Sequence, residues 1–206
     1  ISPKLAALNV ERFQSFKPRS KTTKQALLAF KGDVYIGLEA ETYGERDFNF
    51  AQKNLRILSG LYGILRPLDM IKPYRLEMGT RLKINRKNSL YEFWDGKIAG
   101  SLQQSLESHQ HPFLVNLASD QYFHSVQAEK FQLPFITPVF NEMRGGKLKS
   151  INVYAKRARG LMANYIIKNR IEDPEQMKQF DVDAYQYEED HSSDYRWVFV
   201  RPHNPS

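Results

Sequence analysis

Apolar residues recur at helical spacing over the first part of the chain and give way to short apolar runs further along. Between Lys4 and Phe16, the positions of Leu5, Leu8, Phe13 and Phe16 predict a helix that the Lys17-Pro18 step stops. Thr22 or Thr23 can cap KQALLAF, and after Gly32, Asp33 can cap VYIGLEAETY, in which Val34, Ile36, Leu38 and Tyr43 supply an apolar side. Two short helices in series are expected there. Residues 45–58 read as another helix, with Phe48, Ala51, Leu55 and Leu58 three or four apart. Ser89 can cap a helix over 90–109, although Gly96 and Gly100 weaken its continuity.

The second half reads differently. FLVNL, residues 113–117, is a buried strand by its length and content. Residues 135–141 and 147–154 flank Gly145-Gly146, which predicts a hairpin whose second strand feeds a helix over 155–170. A second hairpin is expected from 185–189 and 195–200 around His191-Ser192-Ser193-Asp194. No regular βαβ alternation appears, so the expected fold is mixed α/β (α+β): one domain with a curved mixed β-sheet surrounded by helices.

Composition limits the chemistry. The chain has 206 residues, 41% hydrophobic and 26% charged, enough for a sizeable core, and no polar low-complexity linker divides it. No apolar run approaches the roughly 18 residues of a membrane span, and no signal pattern stands at the N-terminus, so a cytoplasmic protein with no membrane partner is expected. There is no cysteine, which removes disulfides, thiolate metal sites and cysteine nucleophiles. No cofactor is expected, and a monomer is the expected state. The chain begins at Ile1, and its first residues read as the middle of a helix, so further residues upstream are expected.

The formal charge of +7 is moderate, but it is unevenly spread. Residues 53–87 hold nine Lys or Arg against two acids, 141–170 hold eight against one, and 181–194 hold six acids with no Lys or Arg. Such segregation fits a polyanion site opposite an acidic face, and it also fits ordinary solvated surfaces.

The most informative segment runs from Leu55 to Asp69, LRILSGLYGILRPLD, with an expected helix before Gly60, a turn between Gly60 and Gly63, and apolar residues after it. That is the outline of a helix-hairpin-helix element, in which glycines let main-chain N–H groups approach a phosphate. Arg66, Lys72 and Arg75 would add charge-assisted contacts that position nucleic acid without reading its sequence. Two residues rather than one separate the glycines, and Pro67 stands where a second helix should start. A buried strand and turn serves equally well for Ile57, Leu61 and Ile64. In the second basic stretch, AKRARGLMANYIIKNR, Lys156, Arg157 and Arg159 occupy the first turns of the expected helix, where its dipole disfavours cations. A bound phosphate or a neighbouring carboxylate would relieve that.

SGLYGILRPLDMIKPYRLEMG (59–79), NLASDQY (116–122), YAKRARGLM (154–162) and AFKGDVYIGLEAETY (29–43) together resemble the YaaA family of peroxide-stress proteins, over essentially the whole chain. The resemblance implies a cytoplasmic protein that limits free iron and oxidative DNA damage, binds DNA, and carries a helix-hairpin-helix-like element. It also implies an N-terminal strand with an ISPAKT-like segment and a following helix, neither of which is present in this chain. With no cysteine and five scattered histidines, iron control would be indirect. His109 and His111 beside Pro112 read as a surface turn rather than a metal site.

An enzyme remains the alternative. Asp120, Glu142 and Lys156 are the residue types of a metal-dependent nuclease, and Asn116, Ser119 and Asp120 could line a pocket for a nucleoside-modifying enzyme. A strand-end Asp capping the next helix serves Asp120 as well. No G-x-S-x-G elbow, P-loop or H-E-x-x-H signature occurs, which favours a binding module. The expected partner is DNA, and the expected contact residues are Gly60, Gly63, Arg66, Lys72, Arg75, Lys156, Arg157 and Arg159.

Overall fold

The computed structural model describes residues 3–14, 16 and 23–203. The Lys17-Pro18 stop and the Thr22 cap lie outside the described residues. Helix α1 (Pro3–Gln14) buries no residue of its own. It is tied to the body by Asn9, whose amide donates to the Arg75 carbonyl at 2.8 Å and whose carbonyl accepts from the Arg75 N–H at 3.0 Å.

Strand β1 (Lys24–Gln25) runs into α2 (Ala26–Ala29), and α3 (Asp33–Leu38) is followed by a short 3₁₀ turn, Ala40–Thr42. The expected pair of helices is present, with the first shortened because Lys24 and Gln25 join a strand ladder. Helix α4 (Glu45–Asn54) begins where the Asp47 carboxylate accepts from the Gly44 N–H at 3.0 Å. It ends where the Arg56 guanidinium takes the carbonyls of Gln52, Lys53 and Leu55, which a helix end leaves without partners.

The helix expected to run to Leu58 therefore stops at Asn54, and the segment after it is extended. Strand β2 (Ile57–Ser59) pairs antiparallel with β3 (Gly63–Leu65), setting Ile57 opposite Leu65 and Ser59 opposite Gly63. The helix-hairpin-helix expectation is corrected here: the glycines close a β-hairpin. Alternation decides it, since Ile57 and Ser59 are buried on one side while Leu58 lies between them half-buried. Pro67 starts no helix either. Asp69 closes a tight turn by accepting from the Arg66 N–H at 2.8 Å, and β4 (Met70–Ile71) then pairs with β1.

Helices α5 (Leu90–Trp94) and α6 (Lys97–Leu106) replace the one helix expected after Ser89. Ser89 does cap α5, accepting from the Glu92 N–H at 3.2 Å, and Gly96 separates the two helices with φ +71°. After them come β5 (Leu114–Val115), α7 (Asp120–Phe123), β6 (Phe135–Arg144), β7 (Lys147–Lys149) and α8 (Asn152–Asn169). Strands β8 (Gln186–Tyr187) and β9 (Arg196–Pro202) complete the sheet. Its order is β5-β6-β9-β8, with β7 also on β6; β6 is parallel to β5 and β9, and both expected hairpins form. The result is a curled mixed sheet surrounded by helices.

Helix α8 holds the molecule together because both of its sides are apolar. Ala163 and Ile167 join Leu27, Leu38 and Phe50, while Ala158, Leu161 and Met162 join Phe140, Trp197 and Phe199 of the sheet. Its contact with α3 is backbone to backbone: a Cβ on Gly160 would stand 1.9 Å from the Val34 carbonyl oxygen. No helix of the described residues is long and apolar enough to cross a membrane.

Candidate nucleic-acid interface

Residues of the other blocks act on α7, a four-residue helix inside the block 116–122. It starts after Asn116, whose side-chain carbonyl accepts from the Ala118 N–H at 3.1 Å and whose amide reaches the Thr137 hydroxyl at 3.3 Å. Asn116 is thus a buried turn-former rather than a pocket wall. Asp120 is the first residue of the helix, one place after the cap position of Ser119.

From one direction the block after β4 reaches this helix. Arg75 and Glu77 form an exposed ion pair at 3.0 Å, and both act on the Tyr122 phenol. Burial raises the Tyr122 pKa most; Glu77 adds to that, and Arg75 opposes it. Gln121 packs so closely on Gly79 that a Cβ there would lie 2.2 Å from the amide nitrogen. Between them lies a cleft of about 460 Å³ lined by Arg75, Glu77, Gly79, Thr80 and Gln121.

From α8 comes the second basic stretch. Burial lowers the pKa of half-buried Arg159, and the carboxylate of Asp120 counters it. Lys156 is half-buried and Arg157 exposed, both within a turn of Arg159. The helix starts at Asn152, three residues earlier than expected, so these cations stand beyond its first turn, where the dipole penalty has faded. The local electrostatic conflict read from the sequence is correspondingly smaller.

Tyr74, next to Arg75 in the chain, belongs to a tyrosine cluster that sequence reasoning missed. The Ser59 and Tyr74 hydroxyls share a hydrogen bond of 2.5 Å, the Tyr62 N–H donates to Ser59 Oγ, and the Tyr62 hydroxyl accepts from the Lys72 N–H at 3.2 Å. Burial pushes the Tyr74 phenol up to about 12, against the Ser59 hydrogen bond, and it raises Tyr35 further. Tyr74 and Tyr122 both act on Tyr35 of α3. With their pKa values raised, Tyr74 and Tyr35 stay neutral at physiological pH, and Tyr74 is fixed by its hydrogen bond to Ser59. The available signal was the 13% aromatic content and the Tyr in each block.

The expected contact residues therefore separate. Arg75 and Arg159 act on the same short helix, Lys156 neighbours Arg159 on α8, and Arg157, two residues from Arg159, faces away from it. Arg66 is exposed at the other end of the β2–β3 hairpin, paired with Asp69 at 3.4 Å. The Lys72 side chain is 7% exposed, with its ammonium 4.7 Å from the Phe16 ring centre. Gly60 and Gly63 are buried: a Cβ on Gly60 would stand 2.4 Å from the Leu76 carbonyl, and one on Gly63 2.7 Å from the Trp94 ring. Their role is close packing, and Gly63 also supplies the turn with φ +75°.

A second charged group lies elsewhere. Glu142, 2% exposed, accepts from Arg201 on one oxygen, at 3.1 and 2.6 Å, and from Arg144 on the other, at 2.8 and 2.7 Å. Burial pushes its pKa up, but the two guanidiniums outweigh that and hold it below the usual range. Arg201 also pairs with Asp183 and covers the Tyr154 and Tyr185 rings. With both oxygens taken, Glu142 is not placed to share a metal ion with Asp120 and Lys156. Among the described residues, no group of three or more His, Asp or Glu stands ready to hold a metal.

Residues 1–191 match the family model described as peroxide stress protein YaaA. The chain belongs to that family. It is 51% identical over 203 residues to a UPF0246 protein of Teredinibacter turnerae (strain ATCC 39867 / T7901), spanning 98% of this chain and 79% of that protein. A UPF0246 protein of Caulobacter vibrioides (strain NA1000 / CB15N) is 50% identical over 202 residues, with the same coverage. The blocks by which the sequence resembled the YaaA family are those that meet at α7.

Proposed function

We propose that this peroxide-stress family protein binds DNA through phosphate contacts, without reading sequence, and so helps limit iron-dependent oxidative damage to DNA in the cytoplasm. The observation that carries the reading is that Arg75 and Arg159, about eighty residues apart in the chain, act on residues of the same short helix, with an open cleft beside Arg75 and with Arg157 exposed on the helix that carries Arg159. Arg157 is exposed, and Arg75 is held only by an exposed ion pair worth about 1 kcal/mol or less, so a phosphate can replace Glu77 as its partner. Iron is not carried by thiolates, since there are none; the protein acts at the DNA.

The test is a titration of labelled duplex at two salt concentrations with the full chain and with R75E/R157E. The double reversal is expected to weaken binding about tenfold or more and to lower the log–log salt slope by about 2, with thermal melting unchanged. Unaltered affinity in a folded double variant removes this interface.

A second reading takes the cleft of about 460 Å³, lined by Gln121 next to Asp120 in the chain, as a pocket for a small polar molecule such as a nucleoside. It predicts that a nucleoside competes with duplex for the wild-type protein and loses that ability in D120N. A nuclease would instead nick DNA once magnesium or manganese is added.

A further inference from the structure

The segment following the cleft, residues 81–88, belongs to none of the contacts described above. Arg81, Lys83, Arg86 and Lys87 fall within it, and no carboxylate occurs between Glu77 and Glu92. All four cations are exposed. Among the described residues, Arg81, Lys83 and Arg86 have no ion pair. Lys87 acts on Asp95, which is already paired with Lys130 at 2.9 Å.

The segment is held in place. Ile84 and Lys87 exchange both backbone hydrogen bonds, at 2.9 and 3.0 Å, across a tight turn in which Asn85 takes φ +55°. Asn85 suits that position because its short polar side chain tolerates the left-handed region. Ile84 packs against the apolar cluster of Leu90, Ile98 and Val126, anchoring the turn to the body. On one side Asn88 donates to Glu92 and Ser89 caps α5, and on the other Thr80 donates to the Glu77 carbonyl at 3.0 Å.

Four like charges on one anchored turn repel one another, and nothing within the turn offsets that. The charges are spread along an exposed turn, and none of the four lines the cleft. That geometry suits successive groups along a polymer better than one compact anion. Thr80, at the base of the turn, lines the same cleft as Arg75.

We propose that the turn bearing Arg81, Lys83, Arg86 and Lys87 is a second phosphate-backbone contact, joined through Thr80 to the cleft that Arg75 lines, so that one DNA strand is held at more than one point. This rests on the reading of Arg75 and Arg157 as a DNA interface. Lys83 and Arg86 are the residues to reverse, because the backbone bonds of the turn belong to Ile84 and Lys87.

The experiment titrates labelled duplex against the full chain as wild type, K83E/R86E, R75E/R157E and the four-fold variant, over a range of salt, with thermal melting as the control for folding. K83E/R86E is expected to bind about tenfold more weakly with a log–log salt slope smaller by about 2, and the four-fold variant to show the sum of the two slope losses. Wild-type affinity in K83E/R86E alongside weakened R75E/R157E overturns the second contact and leaves the first standing. Absence of duplex binding by the wild-type chain removes both. Polyglutamate that displaces duplex as effectively as unlabelled DNA of equal charge also overturns the proposal, because the turn would then serve acidic polymers in general.

Discussion

The arginines around Glu142 and those around Asp120 differ in what answers their charge. At Glu142 two guanidiniums and a buried carboxylate satisfy one another, and Asp183 takes what is left of Arg201. At Asp120 one carboxylate faces Arg159, Arg75 has only its exposed neighbour Glu77, and Arg157 lies open. A count of cations along residues 141–170 cannot separate these cases, because Arg144 belongs to the first and Arg157 to the second. Stability is built into one region, and capacity for an outside anion is left in the other.

Several substitutions would break that comparison. The largest effect is expected at Gly160, the point where α8 and its basic stretch are pressed onto α3. Gly160→Ala places a methyl 1.9 Å from the Val34 carbonyl, so backbone must move; a loss of about 3 kcal/mol and a fall in Tm of about 10 °C are expected in a thermal melt. Next comes Glu142→Gln, which leaves two guanidiniums without their carboxylate. It should cost about 3 kcal/mol in urea unfolding while the folded fraction binds duplex as wild type does. If that variant unfolds no more readily than wild type, the region is not the structural knot described here.

Acid should act on the same side of the comparison. Asp47 is held at about 2, first by its hydrogen bond to Lys168, then by Arg170 and the Gly44 N–H, with burial opposing them. A carboxylate whose folded pKa lies below its unfolded value stabilises the protein above the unfolded pKa, about 4, and that stabilisation fades as pH falls towards 2. Melting temperature is therefore expected to drop between about pH 4 and pH 2, and Asp47→Asn should flatten part of that drop while lowering stability at neutral pH. The smallest effect belongs to the open region. Glu77→Gln frees Arg75 and should tighten duplex binding about two- to threefold, in keeping with an exposed pair worth about 0.5 kcal/mol; weaker binding would mean that Glu77 orients Arg75 rather than competing for it.

Much of the fold was legible in the sequence. Gly145-Gly146 and the Ser89 cap are local instructions, each carried by a turn residue or a side chain that reaches its own backbone, whereas the helix expected over 90–109 is two helices parted at Gly96. Residues 45–58 misled because Leu58 keeps helical spacing from Leu55, whereas the strand at Ile57 exists only because Gly63–Leu65 lies beside it. The start of α8 was placed three residues late for a related reason, since β7 is only three residues long and frees the chain sooner.

At the candidate site, the sequence alone determined the chemical inventory and the family blocks: which residues are cationic, where the glycines and tyrosines stand, and that no thiol is present. Tertiary structure decided which of them meet. It buried Gly60, Gly63 and Lys72, carried Arg66 to the far end of a hairpin, and brought Arg75 and Arg159 to α7. The physical reason is that helix caps and turns are set by neighbours in the chain, whereas the availability of a charge depends on carboxylates and burial supplied by residues far from it in sequence.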